Sequence, residues 1–178
     1  MLDFSSALKR SSWQFNSVLR EDLQGIMKCK FEVVEGITVD DIAKQLDMLS
    51  GIDAWSIAPV GIRGVALRIQ TGQKNWHTFT IRKSRQSGSK TEFEKRKHAI
   101  ENGYLYPFYT VQAYVTNDNK LLAYAVARTQ DIISAIEKGV CYVNNTGSAQ
   151  IGQAEFYVVD WHKFKDAGYK IIISTEAE

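Results

Sequence analysis

Three polar residues near two predicted strands have types and spacing that suit catalysis or metal binding. Asp53 lies at the start of the alternating segment 52–58, and Arg68 and Gln70 lie two positions apart at the end of the segment 65–70. Residues two apart project from the same face of a strand, so we expect Arg68 and Gln70 to point together toward the acid. A carboxylate is the hard oxygen ligand that Mg²⁺ and Mn²⁺ prefer, and a bound metal can activate water for phosphodiester cleavage. The plainer interpretation, in which Asp53 and Gln70 are ordinary polar residues at strand ends, stays open.

The signatures of several common enzyme classes are absent from the chain. It has no P-loop and no G-x-G-x-x-G, H-E-x-x-H or G-x-S-x-G motif. The three histidines are far apart in the sequence, and Cys29 and Cys141 belong to no C-x-x-C pair, so a zinc site is not indicated. The two cysteines are expected to be free thiols in a reducing compartment.

Charge is distributed unevenly along the chain. Residues 31–53 carry six acids and one base, a net charge of −5, whereas residues 68–98 carry nine bases and two acids, a net charge of +7. Clustered Lys and Arg are typical of surfaces that bind nucleic-acid phosphates, although a solvated surface with clumped charges is the alternative. The expected partner is DNA, with RNA as a second choice, and the residues predicted to bind it are Arg82, Lys83, Arg85, Lys90, Lys95, Arg96 and Lys97.

Four aromatic residues follow the basic segment and are candidates for stacking on bases. Packing at the rim of the core is the competing explanation for such a group. They are Tyr104, Tyr106, Phe108 and Tyr109.

Hydrophobic periodicity and turn residues predict the elements that position these side chains. Helices are predicted over 5–28, from Thr38 to a stop at Gly51, over 91–102 and 129–138 with Thr91 and Thr129 as N-caps, and as a short turn over 161–167. Strands are predicted over 30–34, 52–58, 65–70, 76–81, 108–116, 121–128, 155–159 and 169–174. The short connections between 52 and 81 predict an antiparallel meander of three strands.

Length and composition limit the architecture. The chain has 178 residues, of which 44% are hydrophobic and 24% charged, and this fits a single globular domain over residues 1–178. The order of helices and strands predicts an α/β fold with a mixed β-sheet flanked by helices. The N-terminal residues include Asp3 and lack the apolar core of a secretory signal, and no segment approaches the roughly 18 apolar residues of a membrane span. We therefore expect a cytoplasmic protein with no membrane association.

The order helix, strand, acid-bearing strand, strand with a polar pair, helix resembles the core of the PD-(D/E)XK nuclease superfamily, which has a restriction-endonuclease-like fold. The resemblance covers roughly residues 15–128. Asp53, preceded by Gly51 and Ile52, matches the first acid of the family motif, and Gln70 matches the lysine position, where glutamine is tolerated. Arg68 stands where the family has its second acid. A helix acid that assists the metal corresponds to Glu21.

The resemblance implies a metal-dependent DNA endonuclease or a resolvase-like phosphodiesterase that uses Mg²⁺ or Mn²⁺. Its catalytic residues would be Asp53, Arg68, Gln70 and Arg82, and its metal ligands Asp53, Gln70 and Glu21. The arginine at position 68 repels a metal ion, so either Gln70 is the second ligand with Arg82 or Lys83 supplying positive charge, or the site is inactive. An inactive nucleic-acid-binding module and a protein-binding or inhibitor domain are therefore the alternatives. A homodimer also stays open.

Overall fold

The computed structural model describes residue 10 and residues 12–33, 50–84, 90–146 and 154–175. The predicted helix that begins at Thr38, the start of the first predicted helix and the basic residue Arg85 lie outside these ranges. Within them, no helix combines the length and the apolar composition needed to cross a membrane.

The described chain contains both helices and strands, interspersed along the sequence, which confirms the predicted mixed α/β class. The α-helices are α1 (Arg20–Met27), which continues from a π-helical turn at Phe15–Leu19, α2 (Glu92–Glu101), α3 (Thr129–Glu137) and α4 (Trp161–Asp166). The strands are β1 (Lys30–Val33), β2 (Ala54–Ala58), β3 (Gly61–Thr71), β4 (Thr78–Arg82), β5 (Tyr109–Val115), β6 (Leu121–Arg128), β7 (Tyr142–Thr146), β8 (Ala154–Asp160) and β9 (Ile171–Thr175). Strand β7 was not predicted from the sequence.

The strands form two sheets rather than one. A mixed six-stranded sheet has the order β1-β2-β3-β5-β6-β9, and an antiparallel three-stranded sheet has the order β4-β8-β7. Within the larger sheet only the β3–β5 pair is parallel among the described pairings. The connection from β3 to β5 carries β4 and α2, as a parallel pair requires a long crossover.

The predicted three-strand meander is wrong in its third strand. β2 and β3 pair antiparallel as expected, but β4 pairs with β8 in the other sheet. The second edge of β3 is occupied by β5 along seven residue pairs, from Val65↔Tyr109 to Thr71↔Val115. Residues 72–77 connect β3 to β4, and a connection of that length does not impose hairpin pairing. The strand is therefore free to join whichever edge lies near it.

The larger sheet is covered on both faces by apolar side chains. On one face, Phe15, Leu19 and Leu23 of the first helical segment pack against Val65 of β3 and Tyr124 of β6. On the other face, alanines of β6 face α3, α4 and the smaller sheet, and the fully buried residues there include Phe79, Ile132, Trp161 and Phe164. The small alanine side chains allow these elements to approach the sheet closely.

Of the two threonines predicted as N-caps, Thr91 caps its helix and Thr129 does not. Thr91 caps α2 in a capping box, since its hydroxyl accepts from the Glu94 amide at 3.3 Å and the Glu94 carboxylate accepts from the Thr91 amide at 2.7 Å. Thr129 was predicted to cap α3, which is wrong, because it is the first helical residue after the N-cap Arg128. Its buried hydroxyl instead bonds that of Thr110 in β5 at 2.8 Å.

A close contact between β3 and Ile52 yields a stability prediction. A Cβ atom at Gly64 would lie 2.7 Å from Cδ1 and 2.9 Å from Cγ1 of Ile52, which is fully buried. Gly64→Ala should therefore lower the free energy of unfolding by about 1–3 kcal/mol, measured by urea denaturation. Adding Ile52→Val, which removes Cδ1, should recover part of this loss.

Gly25 provides a matched control for that substitution. It lies in α1, and a Cβ atom there would meet nothing within 4 Å. Gly25→Ala should raise stability by about 0.5–1 kcal/mol, since alanine favours helix more than glycine does. Equal stabilities of the Gly64→Ala and Gly25→Ala proteins would contradict the contact between Gly64 and Ile52.

Candidate nucleic-acid interface

Alternating residues of β3 face opposite sides of the larger sheet. Val65, Leu67 and Ile69 pack on the side of α1. Arg68 and Gln70 line a cleft of about 350 Å³ between β3 and the smaller sheet, which we call the intersheet cleft. Their shared face agrees with the two-residue spacing in the sequence. The same cleft is also lined by Trp76, Thr78, Thr80, Tyr142, Asn144 and Phe156.

Arg68 lies in this cleft as a partly buried cation. Its Nη1 donates to the Thr80 carbonyl at 3.3 Å and lies 3.7 Å from a Glu92 carboxylate oxygen, and its Cζ is 4.9 Å from the centroid of the Phe156 ring. Burial lowers the pKa of Arg68 from its ordinary value, and the charges of Arg82 and Arg96 act in the same direction against Glu92. The guanidinium remains charged because an arginine pKa starts so high.

Glu92 is the carboxylate that three arginines share. It begins α2, and its oxygens lie 2.5 Å from Arg96 Nη2, 3.7 Å from Arg68 Nη1 and 3.4 Å from the Arg82 amide nitrogen, which donates to it. Burial raises the pKa of Glu92, but the charges of Arg96 and Arg68 and the bond from Arg82 outweigh burial, so the pKa lies below its ordinary value. We call Arg68, Arg82, Arg96 and Glu92 the arginine network. Its net charge is +2.

The arginine network contains buried donors without acceptors. Within the described residues, Nε of Arg82 and both Nε and Nη1 of Arg96 have no hydrogen-bond partner. Unsatisfied buried donors are unfavourable by about 1–3 kcal/mol each. The network therefore has more donors and more positive charge than Glu92 alone can satisfy.

The seven cations predicted to bind nucleic acid do not form one continuous surface. Arg96 is only 5% exposed and belongs to the interior network. Lys83 pairs with Glu155 at 3.2 Å, and Lys97 pairs with Glu101 and Glu137 on the surface. The remaining members are Arg82 in the network, the exposed Lys90, the half-buried Lys95, and Arg85 outside the described residues.

The aromatic group after α2 lies apart from the cleft lining. Phe108 and Tyr109 hold the Arg63 guanidinium, whose Cζ is 4.3 Å from the Phe108 ring centroid and whose Nη1 donates to the Tyr109 hydroxyl at 2.9 Å. Tyr104 is exposed beside His98. These contacts support the packing interpretation for Phe108 and Tyr109.

Asp53 uses its carboxylate to bind the backbone of β3. Its Oδ2 accepts from the Leu67 amide at 2.6 Å, and its own amide donates to the Val65 carbonyl at 2.9 Å. Asp53 therefore extends the β2–β3 pairing by one residue beyond the strand. This contact places the carboxylate beside residue 67, three positions before Gln70.

The three predicted metal ligands are divided between the two faces of the larger sheet. Glu21 lies exposed on α1, which packs on the Val65 face, whereas Gln70 points into the cleft on the opposite face. Among the described residues, no group of three or more His, Cys, Asp or Glu side chains is placed to hold a metal ion. This division does not fit a metal centre built from Asp53, Gln70 and Glu21 together.

Several residues that line the cleft or contact its lining were not found from the sequence. Glu92 was counted only as an acid in the basic segment, and Tyr142 lies on the unpredicted strand β7. Trp76 could have been singled out from the sequence, because a tryptophan directly after the polar residues 72–75 is unusual in a connection between strands. Gln112 is buried and pairs with Arg68 across β3 and β5, and its Oε1 accepts from the Thr80 hydroxyl at 3.3 Å.

Comparisons with protein-family models, with curated proteins and with solved structures gave no match for this chain. The chemistry of the intersheet cleft and of the arginine network is therefore the basis for inferring function. Three features define it: an excess of guanidinium groups, uncommitted amides and exposed aromatic side chains at the rim.

Proposed function

We propose that this protein binds nucleic acid at the intersheet cleft and that the arginine network attracts the phosphates. The observation that carries this proposal is the position of Arg68, which lines the cleft and belongs to the arginine network of net charge +2. Within the described residues, Nη1 makes the contacts to the Thr80 carbonyl and to Glu92, and Nε and Nη2 make no hydrogen bond. Guanidinium donors bind phosphate oxygens with strong, charge-assisted hydrogen bonds.

The fold order supports a restriction-endonuclease-like relationship for this binding module. Among the described elements, the order is α1, β1, β2 preceded by Asp53, β3 with Arg68 and Gln70, β4 and α2. Apart from β4, this is the order of the family core. The family has its second acid, which binds the metal, at the position of Arg68. Arg68 cannot bind a metal ion there, but its guanidinium can bind a phosphate. We therefore place the inactive nucleic-acid-binding module ahead of the nuclease.

Binding should depend on Arg68. We expect Arg68→Gln to weaken binding of a fluorescein-labelled 12-nucleotide single strand about tenfold, since a charged hydrogen bond contributes about 1.5–3 kcal/mol. The dependence of log K on log salt concentration should become shallower by about 0.7 for one lost phosphate contact on a single strand. Fluorescence anisotropy at several salt concentrations measures both quantities.

Lys170→Gln is the matched control for that experiment. Lys170 is exposed immediately before β9, and β9 is separated from β3 by β5 and β6 in the larger sheet. This variant loses the same charge but should leave affinity and salt slope nearly unchanged. Failure of the wild-type protein to bind any strand or duplex would contradict the proposal and favour the protein-binding or inhibitor alternative.

A second candidate function is metal-dependent cleavage of DNA with Asp53 as the principal ligand. The observation in its favour is the carboxylate held against β3 immediately before Arg68. Plasmid and branched DNA incubated with Mg²⁺ or Mn²⁺ test this function. Asp53→Asn retains an oxygen that accepts from Leu67 while removing the charge, so it should abolish any cleavage without unfolding the protein. Absence of cleavage by the wild-type protein would exclude this candidate under those conditions.

A further inference from the structure

Two exposed aromatic side chains lie at the rim of the intersheet cleft. Trp76 comes from the connection between β3 and β4 and is 60% exposed, and Tyr142 comes from the edge strand β7 and is 53% exposed. Both line the same cleft, although 66 positions separate them in the sequence. Large aromatic side chains at a polar cavity are characteristic of sites that stack flat rings.

We propose that the intersheet cleft binds one unpaired nucleotide, with its base against Trp76 and Tyr142 and its phosphate on Arg68. This inference deepens the proposed nucleic-acid binding and rests on it. A cleft of about 350 Å³ falls in the size range of small-ligand sites. A base inside a duplex is covered on both faces by its neighbours, so only an unpaired or extruded base can enter such a cleft.

The polar lining can recognise the edge of a base. Within the described residues, the side-chain amides of Gln70 and Asn144 make no hydrogen bond, although both line the cleft. Each amide offers two donors and an acceptor, which suits the mixed edges of nucleobases. The Thr78 and Thr80 hydroxyls are already bonded to Tyr114 and Gln112, so the amides are the uncommitted groups.

The neighbouring nucleotide has a path out of the cleft. A second hollow of about 320 Å³ is lined by Gln70 and Trp76, which it shares with the cleft, and by Lys74. Lys74 Nζ lies 5.4 Å from the centroid of the Trp76 ring, so a cation stands beside the shared indole. A single strand that leaves the cleft past Trp76 would therefore place its next phosphate near Lys74.

A strand without bases separates stacking from phosphate binding. The probes are labelled dT12 and a 12-unit abasic phosphodiester strand, which have the same number of phosphates. Wild-type protein should bind dT12 more tightly than the abasic strand. Trp76→Ala should weaken dT12 binding about tenfold, in line with measured base–aromatic stacking, and should leave abasic binding unchanged. Tyr142→Ala should act in the same direction, and Trp76→Phe should retain most of the affinity.

Tyr104→Ala is the control, because Tyr104 is 60% exposed like Trp76 but does not line the cleft. Circular dichroism checks that each variant is folded. Equal wild-type affinity for dT12 and the abasic strand, together with no effect of Trp76→Ala, would overturn the nucleotide site. If Arg68→Gln then lost affinity for the abasic strand, the proposed binding of phosphates at Arg68 would stand without the nucleotide site. Failure of the wild-type protein to bind either strand would overturn both proposals.

Discussion

Replacing Arg68 with glutamate should weaken single-strand binding about 100-fold or more. The substitution changes the arginine network from a net charge of +2 to zero and puts a carboxylate in the cleft lining where a phosphate is expected. The loss of affinity should exceed that of Arg68→Gln, because the glutamate repels the phosphate that the arginine attracted. Charge interactions of this kind are strong in a partly buried site. Anisotropy titrations with dT12 at low salt measure it.

Arg68→Lys tests whether the guanidinium group matters beyond its charge, and a cleavage assay of Arg68→Glu tests the nuclease hypothesis. Lysine retains the charge but loses the planar, five-donor guanidinium, so its affinity should lie between those of the wild type and Arg68→Gln. The nuclease hypothesis predicts a different result, since glutamate restores the second acid of the family motif. Appearance of Mg²⁺- or Mn²⁺-dependent cleavage in Arg68→Glu, lost again on adding Asp53→Asn, would favour the nuclease over the binding module.

Replacing Glu92 with glutamine should lower the free energy of unfolding by about 1–3 kcal/mol at pH 7, because the guanidinium groups of Arg68 and Arg96 lose the carboxylate that they share. The folded-state pKa of Glu92 is lowered, so its contribution is complete above the unfolded value of about 4.3 and is lost as pH falls through the folded value. The difference in stability between wild type and variant should therefore be largest near neutral pH and should shrink in acid. Urea denaturation between pH 3 and 8 measures this trend.

Glu101→Gln is the matched control on the same helix. Glu101 is 57% exposed in its side chain and pairs with Lys97 at 3.7 Å, so removing its charge should change stability by less than about 1 kcal/mol. A Glu92→Gln protein that matches Glu101→Gln at every pH would show that the arginine network contributes little to folding. Tight binding by a folded Glu92→Gln protein is also expected, since the variant keeps all three arginines.

Several features near the cleft could be predicted from the sequence because they depend on neighbouring residues. The period of a strand places Arg68 and Gln70 on one face whatever that face contacts. The Thr91-x-x-Glu94 spacing produces a capping box, and it positions Glu92 in the first turn of α2. The two predicted strands on either side of residues 117–119 are separated by a short polar connection and pair antiparallel as β5 and β6.

Other features depend on which strand edges meet, and no local pattern specifies that. Strand β4 alternates as a meander strand would, yet β5 already occupies the edge of β3, so β4 pairs with β8. Strand β7 contains Asn144 and Asn145, which disfavour strands in general, and its pairing with β8 overrides that preference. The cleft exists because these two pairings set the smaller sheet opposite β3.

The α/β class, most of the helices and strands, the shared face of Arg68 and Gln70 and the positive charge of the segment that follows them can all be read from the amino-acid sequence. The interior position of Arg96, the placement of Glu21 and Gln70 on opposite faces of the larger sheet, and the meeting of Trp76 and Tyr142 at one cleft are visible only in the folded chain. The two groups differ in the sequence separation of the contacts that produce them. Helix and strand periodicity arises from contacts within a few residues, whereas burial and the meeting of side chains depend on packing between segments distant in the chain.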